Sequence, residues 1–227
     1  MTVVVVPKVL LILVVTPYLA MQVRKPGRWV GLPFAWLMNL SHSRLTDWCL
    51  QHVHIEQNMT ILDVGCGGGR TIQKLGTIAV AGKVCGIDYA AGSVAASRSR
   101  NAASIRADRV EIVRASVSQL PFPDGTFDLV TAVETQYYWP DVVIDMKEIL
   151  RVLKPGGTLV IIAETYRNGK NNKFLGSFMK LLGSSNLSVE DQEKLFADAG
   201  YTDIKVVVES RKGWICAMGS KGHPVNS

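Results

Sequence analysis

The stretch "ILDVGCGGGR", residues 61–70, decides how the rest of the chain is read. An apolar run carrying one acid, Asp63, ends at Gly65; the loop Gly65–Gly69 then leads into residues with helical spacing from Arg70. A strand, a glycine loop and a helix in that order open a parallel α/β sheet. In such sheets ligands bind beyond the carboxyl ends of the strands, near the point where the strand order reverses. Glycines in this loop let the backbone approach a ligand that a β-carbon would push away. The question is whether that ligand carries phosphates.

The dinucleotide fingerprint G-x-G-x-x-G/A answers in part. Gly65 and Gly67 fit it, but Arg70 occupies the third position and the nearest glycine, Gly69, comes one residue early. Asp63 would also set a carboxylate beside a pyrophosphate. A ligand with an ammonium or hydroxyls and no phosphate suits that carboxylate better. Asp88 follows "VCGI" at the end of the next apolar run, where a carboxylate can accept hydrogen bonds from both hydroxyls of a ribose. A single strand-end Asp is as readily a helix cap or a solvated turn; in company with Asp63 and the glycine loop it reads as functional.

Working outward, short apolar runs alternate with helical stretches. Residues 60–64, 83–88, 109–114, 127–133 and 158–163 read as strands; 70–79, 92–104 and 141–153 read as helices, the last initiated by Pro140. Strands alternating with helices imply a parallel sheet covered on both faces. "SVEDQEKLFADAGY" (188–201) breaks the rhythm: Ser188 is a predicted N-cap, acids fill the first turn, and Gly200 closes the helix. "IKVVVES" and "WICAMG" follow, separated only by "RKG", a connection too short for a crossover helix, so the sheet should end in an antiparallel pair. Upstream, apolar residues at Phe34, Leu37, Met38, Leu45, Trp48, Cys49 and Val53 trace one face of a helical region. The expected fold is α/β: a Rossmann-like, seven-stranded, mostly parallel sheet with an antiparallel C-terminal hairpin, helices on both faces and an N-terminal helical lid. Its divisions are an apolar and basic leader (1–30), the lid (31–57), the main domain (58–220) and a tail (221–227).

A chain of 227 residues has room for one well-buried α/β domain, and 48% hydrophobic with 19% charged residues is a globular composition. The net charge of +6 is an N-terminal property: residues 1–46 hold Lys8, Arg24, Lys25, Arg28 and Arg44 with no acid, and the remainder is close to balance. That distribution argues against a nucleic-acid partner, whose enzymes spread a basic stripe over the folded domain. Cys49, Cys66, Cys85 and Cys216 lie far apart with no C-x-x-C pair, suggesting neither a zinc site nor a disulfide framework. His52 and His54, at i,i+2, point to different sides of a helix, so no metal site is expected.

The apolar stretch Val3–Ala20 holds Lys8 and is interrupted by Pro7 and Pro17, which makes it marginal for a spanning helix of about 20 residues. Three readings stand open: an anchor or peripheral membrane contact, an extension preceding a start at Met21, or a packed core element. The basic cluster Arg24, Lys25 and Arg28 after it would keep the domain in the cytoplasm if it inserted.

Four motifs in register, "ILDVGCGGGR", "GIDYA", "LPFPDGTFDLV" and "EILRVLKPGGTLVI", resemble class I S-adenosylmethionine-dependent methyltransferases of the small-molecule, UbiE-like type, over about residues 58–220. The resemblance implies S-adenosyl-L-methionine as cofactor. It places the methionine moiety at Asp63 and the loop Gly65, Cys66, Gly67 and Gly69, the ribose hydroxyls at Asp88, and the adenine beside Tyr89. At "RASVSQLPF" the family usually has an Asp that bonds the adenine amino group, with the next backbone N–H reaching the ring; here the positions are Ser116 and Val117. Serine can accept that bond, but without charge, so more weakly.

Transfer from a sulfonium is a direct displacement with an activated donor. The protein's task is alignment and water exclusion; a general base is needed only for an acceptor that holds a proton. After the fourth predicted strand comes "ETQYYWPD" (134–141), with no N-P-P-Y-like sequence, which argues against methylation of exocyclic base nitrogens or glutamine amides. Glu134 is a candidate cofactor support or base. Tyr137, Tyr138 and Trp139 would either line a small apolar or aromatic acceptor pocket or pack under the following helix. His42, on the lid, is a candidate base because its pKa suits proton transfer near neutrality. Residues 165–187, with Arg167, Lys170, Lys173 and Lys180, read as an insertion near the acceptor or a solvated basic loop. The expected activity is methyl transfer to a small O, N, S or C nucleophile. The alternatives are an NAD(P)-dependent oxidoreductase and a membrane-associated protein that binds the cofactor without turnover.

Overall fold

The computed structural model describes residues 43–164 and 188–223. Residues 3–20, His42 and the predicted insertion 165–187 lie outside them. Strands β1 (Thr60–Val64), β2 (Lys83–Asp88), β3 (Val110–Arg114), β4 (Phe127–Val133), β5 (Leu153–Glu164), β6 (Thr202–Glu209) and β7 (Trp214–Ser220) form one sheet in the order β3-β2-β1-β4-β5-β7-β6. The first five pair in parallel, and β7 inserts antiparallel between β5 and β6. The order reverses between β1 and β4, so the glycine loop leaves the sheet at the switch point, as the sequence predicts.

Both faces are covered. A helix over residues 43–50 (α1), within the region 31–57 expected to be a lid, packs with α2 (Arg70–Ile78), α3 (Ala91–Arg100) and α4 (Ala102–Arg106) on one face, around Leu45, Ile61, Ile72, Leu75 and Val94. On the other, α5 (Val142–Val152) and α6 (Val189–Asp198) bury Met146, Ile149 and Phe196 against Leu62, Val130 and Ile161. This two-sided cover is why β1 and β2 read as nearly continuous apolar runs rather than as alternating ones. Helix α6 opens with a capping box: the Ser188 hydroxyl accepts from Asp191 N–H at 3.1 Å, and the Asp191 carboxylate accepts from Ser188 N–H at 3.0 Å.

Four expectations need correction. The helix predicted over 92–104 is two, α3 and α4, because the buried Asn101 turns its amide back to the Ser97 carbonyl (2.9 Å) and the Gly69 carbonyl (3.0 Å). Strand β5 begins at Leu153 rather than Thr158, its register to β4 shifting between Phe127 and Leu129, where Lys154–Gly157 disrupt the apolar pattern. Helix α5 is capped by Asp141, whose side chain accepts from Ile144 N–H at 3.0 Å; Pro140 lies before the cap. Finally, a disulfide joins Cys49 on α1 to Cys216 on β7, with Cα atoms 5.6 Å apart across 167 residues. Sequence spacing is blind to a pair that the fold brings together across the sheet. Cys66 and Cys85 are buried thiols. Among the described residues no helix is long and apolar enough to cross a membrane.

Candidate cofactor and acceptor site

The predicted cofactor residues gather at the carboxyl ends of β1 and β2. Asp63 stands in register between Gly86 of β2 and Thr131 of β4, and the Thr131 hydroxyl donates to its carboxylate at 2.8 Å. Asp63 is 2% exposed, and burial pushes its pKa up to about 7, with the like-charged Asp88 adding to the rise. Among the described residues, the groups that set its ionisation are Thr131 and Asp88, neither of them a cation. Asp88 accepts from Gly67 N–H at 3.0 Å through one oxygen and from Ala90 N–H at 2.8 Å through the other. Burial raises its pKa, and these bonds pull it back. The Ser93 side chain bonds the carboxylate as well, which leaves it one further lone pair for a hydroxyl.

The loop glycines divide their work. Gly65, Gly67 and Gly69 all have positive φ, at 71°, 49° and 75°. A β-carbon on Gly65 would lie 2.3 Å from Thr135 Oγ1, and one on Gly69 would lie 2.4 Å from Ser97 Oγ and 2.5 Å from Asn101 Nδ2. Both are therefore demanded by the protein's own packing. Of these three, Gly67 is the one whose β-carbon would meet no described atom within 4 Å, which leaves room there for a ligand. Cys66 is buried in the core, with its backbone N–H bonded to the Ile87 carbonyl at 2.8 Å.

Tyr89 follows Asp88 with its side chain 42% exposed. Ser116 and Val117 sit in a turn past β3: the Ser116 hydroxyl accepts from Ser118 N–H at 3.2 Å, and Val117 is buried. The preceding Ala115 N–H donates to the Asp88 carbonyl at 3.2 Å, which holds this turn beside the end of β2.

On the acceptor side, Thr135 against Gly65 brings the loop 134–139 onto the glycine loop. Glu134 takes φ 54° at the end of β4, and its carboxylate accepts from Glu164 N–H at the end of β5. Burial pushes its pKa up to about 8, with the Glu164 charge contributing. Tyr137 donates its hydroxyl to the Glu164 carbonyl at 3.1 Å and stands edge-to-face to Tyr138, with centroids 6.3 Å apart. Trp139 goes into the core, 8% exposed. Sequence reasoning missed Thr131, Thr135, Glu164 and the buried Gln136–Gln192 amide pair, whose two bonds measure 3.0 and 3.4 Å. Thr131 was findable, being a polar residue inside the apolar run of β4; the pairing of Gln136 with Gln192 has no sequence signal.

Residues 62–161 match the family described as a methyltransferase domain. The chain is 34% identical over 123 residues to a demethylmenaquinone methyltransferase of Lactiplantibacillus plantarum, covering 54% of this chain and 52% of that one. It is 32% identical over 125 residues to the sterol 4-C-methyltransferase strm-1 of Caenorhabditis elegans, covering 54% and 37%. The chain thus spans about half the length, or less, of these curated relatives. A SAM dependent methyltransferase from Aquifex aeolicus superposes with a TM-score of 0.62 at 22% identity, over 78% of this chain and 89% of that one. Residues 62–161, built on this sheet and this glycine loop, are thus the part of the chain that is similar to a methyltransferase domain.

Proposed function

We propose that the protein transfers a methyl group from S-adenosylmethionine to a small-molecule O, N, S or C nucleophile by direct displacement. The observation that carries this reading is Asp63. A carboxylate buried with another acid nearby, and with no cation among the described groups that set its ionisation, is costly to ionise, and a ligand ammonium relieves that cost. Bound there, S-adenosylmethionine supplies a methyl group already activated on a sulfonium. The chain's own groups then bind and orient. Asp63 holds the ammonium, Gly67 admits the ligand against the backbone, Asp88 accepts from the ribose hydroxyls, Tyr89 covers one side of the adenine, and Ser116 with Val117 N–H reads its edge.

Glu134 stands at the junction of donor and acceptor loops. Its carboxylate already accepts from Glu164 N–H, which supports a role in shaping the cofactor side of the pocket. Its raised pKa also suits proton uptake from an acceptor near neutrality, as does the imidazole of His42 in the lid, which lies outside the described residues. Tyr138 is the aromatic candidate for the acceptor wall, since Trp139 is packed in the core. The relatives named for a demethylmenaquinone and a sterol support an apolar, ring-bearing acceptor.

Thermal shift and calorimetry test the donor. S-adenosylhomocysteine is expected to stabilise the protein and NAD is not; stabilisation by NAD alone would favour an oxidoreductase. A radiolabelled methyl-transfer screen over quinols, phenols, sterols and amines tests the reaction. Binding without transfer to any of them would leave a cofactor-binding protein without turnover.

A further inference from the structure

Arg151 sits in the last turn of α5, outside the cofactor loops, yet its guanidinium is spent on one of them. One nitrogen, Nη1, donates to the Phe122 carbonyl at 2.9 Å and the Asp124 carboxylate at 2.7 Å; Nη2 donates to the Leu120 carbonyl at 3.1 Å. The remaining bonds go to Glu148, at 2.9 Å from Nε and 2.8 Å from Nη2. Glu148 closes the arrangement by accepting from Leu120 N–H at 2.8 Å. Leu120 is therefore gripped at both its N–H and its carbonyl by a charged pair on α5, whose bonds are the stronger, charge-assisted kind.

Four residues before Leu120 lies Ser116. The segment between has two fixed ends: Ala115 N–H on the Asp88 carbonyl, and Leu120 on Glu148 and Arg151. We propose that Arg151, acting with Glu148, is a positioning residue that sets the height of Ser116 Oγ and Val117 N–H over the end of β2, and thereby the selectivity for adenine. The inference rests on the adenine role assigned to Ser116 and Val117 above. Position matters more here than for a carboxylate. The Ser116 hydroxyl is neutral and already serves Ser118 N–H, so its bond to a base amino group depends on alignment.

Calorimetry on the full chain tests this with S-adenosylhomocysteine and its 6-oxo, inosine-based counterpart, which presents a carbonyl in place of the amino group. The wild type is expected to prefer the adenosyl form by about tenfold, the size of one well-made hydrogen bond. Arg151→Met should weaken the adenosyl form by about three- to tenfold and bring the preference close to one. Glu148→Gln, which keeps an acceptor for Leu120 N–H but removes the charge, should move the ratio the same way, and it carries the test if Arg151→Met does not fold. Equal weakening of both ligands, or an unchanged ratio in both variants, would reduce the pair to a structural brace and overturn the proposal. Failure of the wild type to bind S-adenosylhomocysteine would sink the donor reading itself, and the proposal with it.

Discussion

One carboxylate, Asp63, and two glycines, Gly65 and Gly67, can be separated at the residue scale. Asp63 titrates near 7 in the free protein, and only its ionised form pairs with an ammonium. Affinity for S-adenosylhomocysteine should therefore rise by about tenfold between pH 6 and pH 8, then level off. Asp63→Asn should erase that slope and weaken binding at pH 8 by about ten- to a hundredfold, both read by calorimetry. The glycines separate packing from ligand approach. Gly65→Ala drives a methyl into Thr135 at a positive φ, so it should lower the melting temperature and abolish binding together. Gly67→Ala meets no atom of the described residues within 4 Å; it should cost only about 1–2 kcal/mol of backbone strain while still losing the ligand. A Gly67→Ala variant that binds normally would move the ligand away from this loop.

Between elements, the buried Gln136–Gln192 pair ties the loop after β4 to α6. Gln192→Ala leaves the Gln136 amide unpaired and should cost about 1–3 kcal/mol in urea unfolding, whereas the double replacement by Leu should be closer to neutral. Such pairings mark the limit of what the sequence discloses. Strands β1, β2 and β4 match the predicted ranges to the residue, because their apolar runs end abruptly at Gly or Asp and at Glu134. The start of β5 was hidden by Lys154–Pro155–Gly156–Gly157, and the break in the 92–104 helix by Asn101, whose side-chain bond to the Gly69 carbonyl exists only once the loop is folded. Asp63 and Asp88 were legible as candidate carboxylates because they stand at the ends of apolar runs, which the sequence displays locally. Thr135 and Glu164 were not, since their roles arise from strand order.

For the molecule as a whole, Asp63 and Glu134 titrate at about 7 and about 8, well above the usual carboxylate range, and Asp88 and Glu164 are raised as well. The folded state then holds more protons than the unfolded chain between about pH 4 and pH 8, so stability falls as pH rises through that window. Glu148, lowered by Arg151, acts in the opposite sense, and its contribution is lost only as pH falls through its folded value. The melting temperature of the ligand-free protein should therefore decline from pH 5 to pH 8, and S-adenosylhomocysteine should flatten the decline by supplying the charge that Asp63 lacks. A melting temperature that climbs over this range would contradict the buried-carboxylate account.

The bond between Cys49 and Cys216 also gives the chain a different connectivity from a linear polymer: it encloses β1 through β6 in one covalent ring. A protease that hydrolyses any single peptide bond between these cysteines opens the ring without releasing a fragment. Such a nicked protein should run as one band of undiminished mass on a denaturing gel without reductant, and separate into two pieces once dithiothreitol is added.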